Sequence, residues 1–98
     1  MKVYNVGILG FGFIGKVHAF AHLNLPLFFA QQEFASRIRA VCTSREETAR
    51  LGAAQVGAEL AVTDYRAITE NPDIDIVDIC TPNHLHCEEL LSAMRHQK

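Results

Sequence analysis

The chain has 98 residues, of which 49% are hydrophobic and 20% charged, with a formal net charge of −2. That length holds one domain, and the composition is that of a chain that buries a core. The mildly acidic balance, without runs of Lys or Arg, argues against a polyanion-binding class, so neither nucleic acid nor an anionic membrane is expected as a partner.

The chain opens with "MKVYNVGIL", in which Val3 to Leu9 is an apolar, β-branched run without strict alternation. Such a run predicts a strand covered on both faces of a parallel sheet. It carries no small-residue cleavage site, so a cytoplasmic location is expected. Val6 to Gly15, the longest apolar-plus-glycine stretch, falls short of the ~20 residues that cross a bilayer. After the glycines, Ile14, Val17, Phe20, Ala21 and Leu23 keep a helical stripe, and Pro26 predicts the end of that helix before residue 26. Residues 25–37, "LPLFFAQQEFASR", read either as a short helix or as a packed loop.

"RIRAVCT", residues 37–43, predicts strand two. Ser44, with Glu47 three residues on, has the spacing of a capping box for a helix running to about Gly57. "AELAVT", residues 58–63, is a weak third strand, and Asp64 is placed to cap a short helix over "YRAITE" that Asn71-Pro72 ends. "IDIVDIC", residues 74–80, predicts a fourth strand, followed by a Thr81-Pro82-Asn83 turn. In the final helix Cys87, Leu90, Leu91 and Met94 recur at i, i+3, i+4 and i+7, which predicts a core-facing stripe. Strands alternating with helices imply parallel strands joined by right-handed crossovers, an α/β doubly wound sheet.

Gly10, Gly12 and Gly15 form G-x-G-x-x-G behind the first strand and at the head of the first helix. In a dinucleotide-binding turn the first glycine permits the tight exit, the second lets backbone approach a diphosphate, and the third lets helix and strand pack closely. Backbone N–H groups at the helix start, Phe13 and Ile14 among them, then face the phosphates with the positive end of the helix dipole. Phe11 and Phe13 are expected to shield the diphosphate and pack under the helix. A glycine-rich turn without a ligand has the same letters, but the strand-turn-helix context favours the cradle.

An acidic residue that holds the adenosine ribose is expected at the end of strand two. The tip here reads Cys42-Thr43-Ser44-Arg45, with no carboxylate. A 2′-phosphate would meet no repulsion, Thr43 and Ser44 could donate hydroxyls, and Arg45 could pair with it, which favours NADP over NAD. Otherwise Ser44 caps the helix and Arg45 is solvated.

"GILGFGFIGKVHA", "AVCTSREETA" and "TDYRAITENPDIDIVDICTPNHLHCEELLSAM" together resemble the N-terminal domain of the glucose–fructose oxidoreductase / inositol dehydrogenase family over nearly the whole chain, residues 25–36 excepted. The resemblance implies a Rossmann-type sheet, incomplete after its fourth βα unit. Residues 1–98 would then be part of a dinucleotide-binding domain, with the substrate domain outside them. It also implies that Thr81, Pro82, Asn83 and His86, in the T-P-x-x-x-H turn, lie along the nicotinamide side of the cofactor. Family members transfer hydride to or from a hydroxyl or carbonyl carbon of a sugar, inositol or similar polyol, and a homo-oligomer is expected. Their proton-transferring lysine stands in a Glu-Lys-Pro motif after the next strand, so the catalytic residue is expected beyond residue 98 and these residues alone are expected to be inactive. The alternatives are a non-catalytic module that senses NAD(P) redox state, and a sheet that binds S-adenosylmethionine, against which the Thr81-Pro82 turn argues.

Other constellations are weaker. His18 and His22 share one helix face with no third ligand nearby, and Cys80, His84, His86 and Cys87 have spacing unsuited to structural zinc, so no metal is expected. Asp75 and Asp78 fall on opposite faces of their strand, and Asp73 lies in the preceding turn, so they are not an acid–base set. The three cysteines, in apolar segments, suit reduced thiols.

Overall fold

A computed structural model describes residues 1–30 and 33–98. Strand β1 (Lys2–Leu9) leads to helix α1 (Phe13–Phe28), then β2 (Phe34–Cys42), α2 (Glu46–Val56), β3 (Leu60–Val62), α3 (Arg66–Thr69), β4 (Ile76–Ile79) and α4 (Asn83–Arg95). The strands form one parallel sheet in the order β3-β2-β1-β4. The order reverses between β1 and β4, where a crevice opens beyond the strands' carboxyl ends.

Two apolar layers hold the sheet. Val6, Ile8, Ile38 and Val41 pack with Ala19 of α1 and Ala53 of α2, while Leu9, Ala40 and Cys42 pack with Ile68 and Ile74 on the other face. Residues 38, 40, 41 and 42 do not keep a simple alternation because the β1–β2 register slips between Val6 and Gly7, pairing Val6 with Ile38 but Gly7 with Ala40. The extra residue, Arg39, exchanges the two faces of β2 at that point.

Several local expectations are corrected. Helix α1 continues through Pro26 to Phe28. Proline in the last turn forfeits a single N–H bond, and the Phe29 N–H closes the end on the Leu25 carbonyl at 3.0 Å. Strand β2 begins at Phe34 rather than Arg37, because all of β1 from Lys2 onward pairs with it. Residues 31 and 32, in the segment whose form the sequence left open, lie outside the described residues.

Ser44 does not cap α2, whose first flanking residue is the extended Arg45. Instead the Thr43 and Thr48 hydroxyls lie 2.8 and 3.0 Å from the Arg45 carbonyl and 2.6 Å from each other. The α4 stripe faces outward: Leu90, Leu91 and Met94 are exposed, and the buried residues are Glu89, Ser92 and Ala93. Polar anchoring turns the helix this way. The Ser92 and Thr69 hydroxyls share a 2.7 Å hydrogen bond, and the Thr81 hydroxyl donates to Glu89. The residue flanking α3 is Tyr65 rather than the expected cap Asp64, whose carboxylate nevertheless accepts the Arg66 N–H at 2.9 Å; β4 is shorter than expected although the Asp75 and Cys80 N–H groups still bond to β1 carbonyls. No helix among the described residues is long and apolar enough to cross a membrane.

Candidate functional site

Three strand tips are clasped together at the glycine turn. The Gly10 N–H donates to the Cys42 carbonyl at 2.8 Å, and the Cys80 N–H donates to the Leu9 carbonyl at 2.7 Å. Gly10 has φ +89°, and a Cβ there would stand 2.7 Å from the Cys80 carbonyl oxygen. A Cβ on Gly15 would stand 2.2 Å from the Gly10 carbonyl oxygen, so α1 sits on the turn more closely than any side chain allows. At Gly12 a Cβ would meet nothing within 4 Å. The first and third glycines thus serve close backbone packing, whereas the second borders open space.

That open space is a cleft of about 830 Å³ at the switch point of the sheet. Gly10, Gly12, Phe13 and Ile14 form one wall, Thr43, Ser44 and Arg45 a second, Thr81 and Pro82 a third. The first helical bond of α1 runs from the Lys16 N–H to the Gly12 carbonyl at 3.0 Å, so the N–H groups of Phe13, Ile14 and Gly15 precede the ladder. No acidic side chain occupies that first turn. The wall can therefore receive an anion through main-chain donors and the helix dipole.

Gly15, Asn83 and His86 do not line the cleft. His86 turns back, its Nε2 2.6 Å from the Thr81 carbonyl oxygen, and so braces the Thr81-Pro82 turn from behind. Phe11 packs under the turn, with its ring where a Gly52 Cβ would stand, but Phe13 is 81% exposed and packs under nothing. Thr43, offered as a free hydroxyl, is committed to Thr48 and the Arg45 carbonyl, which leaves Ser44 and Arg45 exposed at the tip of β2. Tyr65, Glu88 and Glu89 also line the cleft, and sequence reasoning missed them because α3 and α4 meet only in three dimensions. The Tyr65 hydroxyl donates to Glu88 at 2.9 Å, and that bond raises its pKa.

A sequence model described as "Oxidoreductase family, NAD-binding Rossmann fold" (GFO_IDH_MocA) matches residues 4–98. The chain belongs to this family. Levoglucosan dehydrogenase of Pseudarthrobacter phenanthrenivorans is 39% identical over 93 residues, 95% of this chain and 24% of that protein. Myo-inositol 2-dehydrogenase of Thermotoga maritima is 27% identical over 93 residues, 95% of this chain and 25% of that protein. A solved structure of levoglucosan dehydrogenase in complex with NADH and L-sorbose superposes with TM-score 0.96 at 38% identity, covering 100% of this chain and 26% of that one. The chain spans about a quarter of the length of these relatives.

Within this GFO_IDH_MocA chain, both thiols that border the cleft are shifted toward their protonated form. Burial, with Glu89 and Asp64 nearby, pushes Cys42 up to about 11; burial and the adjacent Asp78 carboxylate push Cys80 up to about 12. A second polar cluster lies on the α1 face of β4. His18 Nδ1 stands 2.8 Å from Asp78 Oδ1, and His22 Nε2 stands 3.2 Å from Asp78 Oδ2.

Proposed function

We propose that the cleft binds a nicotinamide dinucleotide and that the whole protein is a dehydrogenase acting on a hydroxyl-bearing carbon of a sugar or polyol. The observation that carries this reading is the open space beside Gly12, in front of the unpaired N–H groups at the start of α1 and at the switch point of a parallel sheet. The glycine turn would hold the diphosphate, and the Thr81-Pro82 turn, braced by His86, would orient the nicotinamide end. The bound cofactor supplies hydride transfer. These residues contribute binding and orientation. Related solved structures hold NADH, NADH with levoglucosan and, for scyllo-inositol dehydrogenase of Lactobacillus casei, NAD(H) with scyllo-inositol, which supports the substrate class.

For cofactor choice, the β2 tip carries no carboxylate, and Arg45 is exposed and makes no ion pair among the described residues. That tip favours a 2′-phosphate, so NADPH is expected to bind at least as tightly as NADH. Calorimetric titration of the full chain with NADH, NADPH and S-adenosylmethionine tests the reading. Saturable binding of a dinucleotide supports it; no dinucleotide binding at millimolar concentration, or binding of S-adenosylmethionine alone, refutes it.

A further inference from the structure

The cluster on the α1 face of β4 joins two elements far apart in sequence. Alternation along β4 puts Asp78 and Cys80 on the same face as Ile8, the face that α1 covers. His18 and His22, one turn apart on α1, descend onto them. His18 Nδ1, an Asp78 carboxylate oxygen and Cys80 Sγ all lie within 4.8 Å of one another. The closest separations are 2.8 Å between His18 Nδ1 and Asp78 Oδ1, 3.3 Å between Cys80 Sγ and His18 Nδ1, and 3.4 Å between Cys80 Sγ and Asp78 Oδ1.

Those separations are close to what a tetrahedral ion demands. Zinc bonds of about 2.0–2.3 Å place nitrogen and oxygen donors about 3.3 Å apart and sulfur about 3.5 Å from either, so the His18–Asp78 edge must open by about 0.5 Å and the two sulfur edges by about 0.2 Å. One imidazole, one carboxylate and one thiol form a mixed donor set suited to zinc and poorly suited to magnesium or calcium, which take oxygen ligands. Asp78 is mostly buried, at 16% side-chain exposure, while His18 is 45% exposed and leaves a path from solvent. Sequence spacing alone missed the site, because the third and fourth candidate groups come from a strand some sixty residues beyond the histidines.

We propose that His18 Nδ1, Asp78 and Cys80 Sγ bind a zinc-type divalent cation, with water at the fourth position, and that His22 Nε2 steadies the carboxylate from its other oxygen. On binding, the Cys80 S–H bond breaks and an S–metal bond forms, with the proton leaving to water; His18 carries its remaining ring proton on Nε2. One thiolate and one carboxylate then neutralise the ion's two positive charges. The ion would fasten α1 to β4 beneath the glycine turn. The assignment does not rest on what occupies the cleft, although Cys80 also borders it.

Cobalt(II) is the probe, added to the reduced, metal-stripped full chain. One equivalent should give visible tetrahedral bands and a near-ultraviolet sulfur-to-cobalt charge-transfer band, and zinc should displace it. Cys80→Ser and His18→Gln should each abolish the charge-transfer band or weaken binding beyond detection, while Cys87→Ser and His84→Gln retain it. His22→Gln should keep the band and weaken binding about 10- to 100-fold, as loss of an orienting partner does. Circular dichroism checks each variant's fold, and His18→Gln, at a half-exposed position, carries the test even if Cys80→Ser does not fold. Absence of a thiolate band at one equivalent, or a band that survives Cys80→Ser, overturns the assignment.

Discussion

Gly12→Ala separates ligand binding from folding. Its Cβ would meet nothing within 4 Å, so no neighbouring atom obstructs a methyl group there. The remaining effect is the poorer helix cap that alanine makes, a loss of about 0.5 kcal/mol. Gly15→Ala is the contrasting variant: in an open helix it would gain about 1 kcal/mol, but here its Cβ would stand 2.2 Å from the Gly10 carbonyl oxygen. Backbone must move by about an ångström to admit it, and overpacking of that kind costs about 1–3 kcal/mol. Urea denaturation should therefore leave Gly12→Ala close to the parent and shift Gly15→Ala clearly downward. NADH and NADPH titrations should show the reverse emphasis. If a diphosphate rests against the Gly12 backbone, a methyl group there costs at least tenfold in affinity, about 1.4 kcal/mol. Unchanged affinity in a well-folded Gly12→Ala protein would refute the assignment of this turn to phosphate.

Arg45→Ala should weaken NADPH more than NADH, by about five- to tenfold for a lost charge-assisted contact; an unchanged affinity ratio removes Arg45 from cofactor choice. Cys42 contributes a pH-dependent increment: its thiol lies at about 11 against 9.0 for a free thiol, so the unfolded chain gives up that proton first. The contribution is whole below pH 9.0 and lost as pH rises through about 11. Cys42→Ala should flatten the fall in denaturation midpoint over that window, and an identical slope would contradict the argument. Exposed Leu23, Leu27 and Phe28 on α1, and Leu90, Leu91 and Met94 on α4, leave apolar surface that favours self-association. Sedimentation velocity should show concentration-dependent species, and a monomer at all concentrations would count against that expectation.

The sheet was legible because its signals are local. A β-branched run, glycine punctuation and Asp64 each act within a few residues, and the alternation of elements then restricts the topology to a few arrangements. The errors arose where tertiary pairing overrode those signals. Phe34 to Ser36 are drawn into β2 by the length of β1, and Pro26 is tolerated because it falls in a final turn. The α4 stripe misled for a different reason. Its apolar period is real, yet Ser92 and Glu89 are held inward by Thr69 and Thr81, so the helix presents the hydrophobic face to the outside.

The candidate site divides along the same line. Glycine spacing states where a backbone can approach a ligand, since the absence of a side chain is written directly in the letters. What the letters cannot state is the difference in duty among the three: Gly10 and Gly15 are held by contacts to Cys80 and to the turn itself, while Gly12 borders open space. Nor can they state what a hydroxyl or imidazole already does. Thr43, though it lines the cleft, bonds to its own loop, and His86 bonds to the Thr81 carbonyl, so both groups also fix the walls. His18 and His22 are the converse case. Alone on a helix they lack partners, and only the parallel pairing of β4 with β1 brings Asp78 and Cys80 beneath them. The candidate site of this fold thus lies where strand tips from distant parts of the chain converge, tied there by the hydrogen bonds from Gly10 N–H to the Cys42 carbonyl and from Cys80 N–H to the Leu9 carbonyl.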